Sequence, residues 1–540
     1  MTEVETYDVI ILGGGINGCG TYRDLCAQGV RCLLIEREDF CAGASAASSR
    51  LMHGGLKYLE TGEFRLVTES LTERNMLLQT AAHLVQPLEC VVPVRSVFGG
   101  IIGSVARFLG IKARLKDRGF LITGLGLAVY DFYGRKLRST PKSRMLRGKR
   151  LRRAMPGLAS NIIGAGLYYE GHITHAERLG LELVLDAEAF NPLSMAVNHA
   201  TLLGSEPDGV LHYSSCKGER RVRGKVIVNA GGAWIDRINA TLGLPTKLMG
   251  GSRGSHLVVD SPALLAALGG RMVYFGTADG RVNLIYPFAG NVLVGSTDIP
   301  QPDPDTALCT DDEAAYLCAA VTEIFPDFPI RADQIRYRFS GVRPLPRSDA
   351  ADIGAVTRDH SIATLQLPNS DVPILCLIGG KWTTFRSFSE QASNAVLAHL
   401  GRGRLTTTAG LAIGGGKGMP RDLAAKAALA RAIVAETGAP MPRVLALLDR
   451  YGTKTLDYLR SLDQRPETPL PGCPDYSNEE IRHICQTERV NVVEDVLRRR
   501  TLISLTGRDS AEVQQAVQSI LLECRQNVGG NPPIFSGAQS

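Results

Sequence analysis

Tyr7-Asp8-Val9-Ile10-Ile11-Leu12-Gly13-Gly14-Gly15-Ile16-Asn17-Gly18 is an apolar run that leads straight into a glycine turn. Residues 7–12 read as a buried parallel strand, and the stretch after the turn, through residue 27, reads as a helix. A second strand over 30–35 ends on Glu36, 18 residues past Gly18, close to the spacing at which a carboxylate meets a ribose hydroxyl pair. Each position in this unit has a physical task. Gly13 allows the tight turn, Gly15 lets backbone N–H groups approach a pyrophosphate, and Gly18 lets the helix pack on the strand, while the helix N-terminus favours the anion. An acid at position 36 disfavours a 2′-phosphate, which leaves FAD or NAD.

Two more apolar strands end the same way. Residues 226–228 run into Asn229-Ala230-Gly231-Gly232-Ala233-Trp234, and residues 374–378 run into Gly379-Gly380-Lys381-Trp382-Thr383-Thr384 and then a helix over 385–400. A nucleotide domain built from three distant segments is the layout of two-dinucleotide and amine-oxidase type flavoproteins. The expected fold is α/β, with a Rossmann-like FAD-binding domain assembled from 1–242 and 340–408. Short β-type runs separated by Gly, Pro and Asp turns predict an antiparallel β cap over 243–339 on the substrate side of the flavin. Helical patterning predicts a C-terminal helical domain over 409–540, with the glycine-rich 409–420 as linker. Gly295-Ser296-Thr297-Asp298 reads as a turn first and a site second.

A chain of 540 residues, 44% of them apolar, can bury the cores of two or three domains and is neither disordered nor fibrous. Its net charge of +6 is unevenly spread. Residues 95–153 hold 16 Lys or Arg against Asp117 and Asp131, a local +14 that leaves the remainder at −8. Apolar patches at 97–105 and 120–129 alternate with these basic clusters, a composition suited to lying on anionic lipid at a membrane surface. No interleaved aromatic platform accompanies the charge, so no nucleic-acid partner is expected. Twelve cysteines without a C-x-x-C pair point to a reducing compartment and away from a zinc or disulfide framework. The run at 9–12 follows three acids and is too short for a leader core, and no window reaches a membrane span. The expectation is a cytoplasmic protein, peripheral on the inner face of the cell membrane.

Six motifs in order resemble a known family. They are the first glycine turn, Ser48-Ser49-Arg50-Leu51-Met52-His53-Gly54-Gly55-Leu56-Lys57-Tyr58-Leu59-Glu60, Gly254-Ser255-His256, Ser340-Gly341-Val342-Arg343-Pro344-Leu345, Thr357-Arg358-Asp359 and Gly379-Gly380-Lys381. Together, over about residues 7–400, they resemble the FAD-dependent glycerol-3-phosphate dehydrogenases. The resemblance implies FAD as cofactor, oxidation of sn-glycerol 3-phosphate to dihydroxyacetone phosphate, and delivery of electrons to membrane quinone. It places Gly13, Gly14, Gly15, Asn17, Gly18, Glu36, Ser49, His53, Gly54, Gly55, Ala230, Gly231, Gly380 and Thr383 at the cofactor. Lys57, Tyr58, His256, Arg343, Arg358 and Lys381 would surround the substrate.

These residue types suit the reaction. A hydride leaves a carbinol carbon more easily once a base takes the hydroxyl proton, and cations stabilise the developing alkoxide and hold a phosphate dianion. His256 is the leading base candidate, with Arg343 and Lys381 polarising the oxygen and Lys57, Tyr58 and Arg358 gripping phosphate. A lysine desolvated beside Arg343 has a depressed pKa, so Lys381 is the alternative base. Three departures bear on substrate identity: Lys57 stands where many relatives carry Arg, Thr174 and His175 replace an acidic pair, and the basic segment is longer than in relatives. Thr174 and Glu177 are expected to form a capping box. His172 and His175 read as local structure rather than metal ligands, and no metal is expected. Alternatives are a dehydrogenase of another polyol phosphate such as a tetritol phosphate, an oxygen-using oxidase, and a catalytically silent lipid-binding scaffold. A homodimer is one compatible assembly.

Overall fold

The structure, a computed structural model, describes residues 4–59, 62–99, 119–277, 281–347 and 359–528. Glu60, Thr357, Arg358, the Lys57 side chain and the 100–118 part of the basic segment lie outside the described residues.

Val9, Ile10 and Ile11 are fully buried because their strand, Val4–Leu12, has parallel neighbours on both sides and helices on its faces. It lies between Gly218–Asn229 and Cys32–Ile35, with Pro373–Ile378 beyond the first and Met195–Val197 beyond the second. Register sets Leu12 opposite both Asn229 and Ile35, and Asn229 opposite Cys376. Three strands far apart in the chain therefore end within two residues of one another, and their glycine turns open on one edge. Helices Ile16–Ala27 and Phe385–His399 pack close enough that a Cβ on Gly20 would stand 2.4 Å from the Ser389 hydroxyl. Tyr22, Leu25, Phe385 and Phe388 fill the layer between helices and sheet.

The second sheet has Ser252–Val259 flanked by Asn291–Gly295 and Ile335–Arg343, followed outward by Val282–Phe288 and Met272–Gly276. It then continues into Val85–Val94 and Gly164–Ile173. The cap is thus larger than the expected 243–339: strands from 51–173, assigned by sequence to the nucleotide domain, belong to it, and Arg343 ends one of its strands. Val85–Val94 holds a run of three consecutive buried apolar residues, Cys90, Val91 and Val92, as a strand of either sheet could, and nothing local tells which sheet it joins.

Residues 423–437, 441–451, 455–461, 478–487 and 511–528 are helical and form the C-terminal unit. The glycine-rich stretch before them is a tight seam rather than a loose linker. Gly415 has no room for a Cβ, which would stand 1.8 Å from the Tyr451 carbonyl, and Ile413 N donates to Thr80 O at 2.9 Å. Buried ion pairs complete the junction. Arg178 donates to both Glu488 oxygens at 2.9 and 2.8 Å, and Arg500 pairs with Asp39. The expected capping box is absent. The helix Ala176–Phe190 begins without a side-chain cap, and Glu177 instead pairs with the fully buried Arg50, because a buried guanidinium without a carboxylate costs far more than an uncapped helix end. No helix among the described residues is long and apolar enough to cross a membrane.

Truncating one partner of a buried ion pair strands the other charge, so Glu488→Ala should destabilise the protein by about 3–5 kcal/mol, while the double change Arg178→Met with Glu488→Leu should cost much less. Urea unfolding monitored on the C-terminal helices checks the ordering of the two variants.

Candidate active site

Where the parallel strands end, the two sheets leave between them a cleft of about 2160 Å³. One end is lined by Gly13, Gly15, Glu36 and Trp234, the other by Tyr58, His256, Arg343 and Lys381. Asn17, Ser49, His53, Gly55, Ala230, Gly231, Gly380 and Thr383 also line it. Gly14, Gly18 and Gly54 do not; they stand behind the lining and shape it. The Gly14 amide donates to Glu36 Oε2 at 2.6 Å, Gly18 packs where a Cβ would stand 1.9 Å from the Gly13 carbonyl, and the Gly54 amide donates to Glu170 Oε2 at 2.9 Å.

The nucleotide end has the form a dinucleotide requires. A Cβ at Gly15 would meet nothing nearer than the Ser45 hydroxyl at 3.5 Å, so the open space over this backbone can admit a pyrophosphate. Glu36 Oε1 accepts from the Glu38 amide at 2.8 Å, and with Oε2 on Gly14 the carboxylate is fixed in orientation with lone pairs left for hydroxyl donors. Asn17 Nδ2 donates to Gly379 O at 3.0 Å, tying the first glycine turn to the third. Thr383 exchanges hydrogen bonds with the His53 backbone at 3.0 and 3.2 Å, and Trp382 Nε1 donates to Ser45 O at 3.0 Å.

The reactive end is built on the cap. Side chains alternate along Ser252–Val259, so Gly254, His256 and Val258 share one face and Arg253, Ser255 and Leu257 the other. His256 stacks on its cross-strand partner Phe339, centroids 4.9 Å apart, and its Nε2 lies 2.7 Å from Ser49 Oγ. Burial first, then Arg343 and Arg50, push its pKa down to about 3, so the ring is neutral at physiological pH. Arg343 Nη1 donates to Ser252 Oγ and Asp298 Oδ1, both at 3.1 Å, and Nη2 donates to Ser296 Oγ and Thr297 O, both at 2.9 Å. Residues 295–298 are therefore a clamp on Arg343 as well as a turn. Lys381 Nζ lies 4.3 Å from the centre of the Tyr58 ring, a cation–π contact.

A buried network that no motif announced supports this loop region. Arg74 and Tyr130 both donate to Glu170, at 3.0 and 2.7 Å, and Glu170 in turn holds the Gly54 amide. His172 packs edge-on to Tyr286 at 5.1 Å, and His175 Nδ1 lies 3.2 Å from Thr174 Oγ1; neither joins a cluster of ligating side chains among the described residues.

Residues 8–366 match the FAD dependent oxidoreductase family, and residues 406–526 match the C-terminal domain of alpha-glycerophosphate oxidase. Glycerol-3-phosphate dehydrogenase of Synechocystis sp. is 30% identical over 528 residues, covering 93% of this chain and 90% of that protein. The chain belongs to the FAD-dependent glycerol-3-phosphate dehydrogenase family. Its cofactor is FAD. D-erythritol 1-phosphate dehydrogenase of Brucella abortus is 31% identical, covering 93% of this chain and 95% of that protein. The structure of glycerol-3-phosphate dehydrogenase from Bacillus halodurans complexed with FAD shares the fold over 97% of this chain and 91% of that one, at TM-score 0.71 and 21% identity.

In this family member a strap from the cap crosses the nucleotide end of the cleft. Trp234 Nε1 donates to Asp305 Oδ1 at 2.7 Å, Arg37 pairs with the same carboxylate at 3.1 Å, and Arg237 holds both Asp305 and Asp303. Each half-exposed pair contributes little, about 0–1 kcal/mol, but the set joins two domains beside Glu36. Asp305→Ala should speed FAD release about tenfold at low salt and remove most of its dependence on ionic strength. Free-flavin fluorescence after dilution measures both; release that is unchanged would show that the strap does not retain the cofactor.

Proposed function

We propose that this chain oxidises the secondary alcohol of a polyol phosphate, glycerol 3-phosphate foremost, and passes the electrons to quinone at a membrane surface. The observation that carries this reading is the convergence of a neutral buried imidazole, His256, and two cations, Arg343 and Lys381, on the wall of one FAD cleft. FAD, when bound, supplies the hydride acceptor. Arg343, held by Ser252, Ser296, Thr297 and Asp298, presents a fixed charge to the alcohol oxygen, and Lys381 adds a second. Lys57, Tyr58 and Arg358 are assigned to the phosphate. His256 is in the proton-accepting form, yet with a pKa of about 3 it is a weak base until negative charge enters beside it. The dianionic phosphate brings that charge, which couples proton acceptance to substrate binding.

The 31% identity to an erythritol phosphate dehydrogenase supports a second reading in which the alcohol is a tetritol phosphate. Anaerobic titration of the bound flavin with glycerol 3-phosphate and with erythritol phosphate separates the two. Peroxide formation under air, rather than reduction of a quinone analogue, would favour the oxidase alternative. Arg343→Ala and His256→Ala should each slow flavin reduction by about 10²–10⁴ with FAD still bound. The acid limb of kcat/KM should follow the second phosphate ionisation near pH ~6, not the free-enzyme ring at about 3. Stopped-flow reduction between pH 5 and 8 tests both; reduction of the variants at the parent rate removes the two residues from the mechanism.

Membrane contact is assigned to the helix Phe120–Tyr133. Thr123, Leu127 and Tyr130 are buried, while Leu121, Leu125, Ala128 and Phe132 form an exposed stripe, with Arg135 over the Phe132 ring at 4.3 Å and Arg147 over the Phe120 ring at 6.0 Å. An apolar stripe edged with cations suits the interface of an anionic leaflet on the cytoplasmic side. Leu125→Glu with Phe132→Glu should abolish sedimentation with anionic vesicles while leaving reduction of a soluble dye intact. Continued sedimentation would place the anchor elsewhere.

A further inference from the structure

Glu313 lies on the side of the cap sheet away from the cleft, in the first turn of the helix Asp311–Ile324, and is almost fully buried. Its two carboxylate oxygens have different partners. Oε2 serves the helix and a neighbouring cation: it accepts from the Thr310 amide at 3.1 Å and the Thr310 hydroxyl at 3.2 Å, completing a capping box, and meets Arg253 at 2.9 Å. Oε1 does nothing for the helix. It accepts from Thr297 Oγ1 at 2.7 Å and from Ser255 Oγ at 2.8 Å. Thr297 Oγ1 in turn accepts from the Ser255 amide at 2.9 Å, so the middle of the 295–298 turn is hydrogen-bonded through the sheet to a buried carboxylate.

That turn supplies three acceptors to the Arg343 guanidinium: Ser296 Oγ, Thr297 O and Asp298 Oδ1. Arg343 can keep one orientation only if the turn does. A capping role alone would need one oxygen of Glu313, and it would be met as well by glutamine. The second oxygen, spent on Thr297 and Ser255, is the observation that asks for another role. Burial opposes ionisation of Glu313, but the Thr297 hydroxyl, the Thr310 amide, the Ser255 hydroxyl and Arg253 outweigh it and hold the carboxyl below its usual range.

We propose that Glu313 is a positioning residue for the reaction: through Thr297 it fixes the 295–298 turn and thereby the orientation in which Arg343 meets the substrate oxygen. The inference rests on the polyol phosphate reading of the site. Glu313→Gln separates the two roles, since glutamine satisfies the capping box with its oxygen and turns a donor toward the two hydroxyls. Misplacement of a charge by about an ångström costs up to a hundredfold in rate, so the limiting rate of flavin reduction should fall between about tenfold and a hundredfold. The FAD spectrum and the affinity for inorganic phosphate should change little, while the melting temperature falls somewhat because Arg253 loses the charge it pairs with.

The test is a double-mutant cycle on anaerobic flavin reduction with whichever polyol phosphate reduces the parent holoenzyme, using Glu313→Gln, Arg343→Ala and their combination. The expected result is that Glu313→Gln has no further effect once Arg343 is gone. Thr297→Val, which removes the hydroxyl link but keeps the carbonyl, should slow reduction in the same direction and covers the case in which Glu313→Gln folds poorly. Effects that multiply in the cycle, or a lowered melting temperature with an unchanged reduction rate, would overturn the proposal and leave Glu313 a helix cap. A parent enzyme that neither polyol phosphate reduces would overturn the functional reading itself, and this inference with it.

Discussion

Leu12 and Asn229, the last residues of two parallel strands, stand side by side with Cys376, two residues before the end of a third, and the rest of the molecule is arranged around that alignment. Parallel strands in register expose their C-terminal ends along a single edge, where the following helices also begin. Backbone N–H groups and helix N-termini are thereby gathered in one place, which is the physical requirement for holding a pyrophosphate. The glycines follow from the crowding at this edge. Gly18 must lack a Cβ to pass the Gly13 carbonyl, and Gly380 must lack one to pass Asn17.

Charge is handled differently at the two ends of the cleft. At the nucleotide end the Glu36 carboxylate is oriented by two amides, and the carboxylates of the strap are paired with Arg37 and Arg237. At the reactive end cations gather against apolar and aromatic walls, and their cost is offset by carboxylates and by the backbone and side-chain oxygens of a turn. Arg343 has Asp298 and the 296–297 turn, Arg50 has Glu177, and Arg74 has Glu170. Tyr130 links the last of these pairs to the helix Phe120–Tyr133, so the loop carrying Gly54 and the helix with the exposed apolar stripe share one buried network.

Much of the nucleotide domain was legible because its code is short-range: strand, glycine turn, helix and acid follow one another within about thirty residues, and two later strands repeat the ending. The candidate site was legible where a motif carried it, as with His256, Arg343 and Lys381. It was not legible where a residue works through a distant partner. Glu170 and Arg74 look like ordinary surface charges in sequence, and Glu313 looks like a helix cap. Glu177 sits at a position that satisfies the capping pattern with Thr174, yet it joins Arg50, because a buried guanidinium outweighs a helix end. Gly414, Gly415 and Gly416 suggest a linker in a linear reading, whereas in three dimensions they let the chain pass Glu182, Tyr451 and Thr80 in turn.

The amino-acid sequence by itself determined the cofactor class and the side-chain types of the candidate site, since both depend on local backbone needs and on functional groups that only certain residues possess. Tertiary structure alone decided that strands from 51–173 complete the cap, that Gly14, Gly18 and Gly54 shape the cleft from behind its surface, and that the 295–298 turn grips Arg343. Strand partnership and buried charge pairing join residues far apart in the chain, and their energies arise from desolvation and geometry that exist only once the chain has folded.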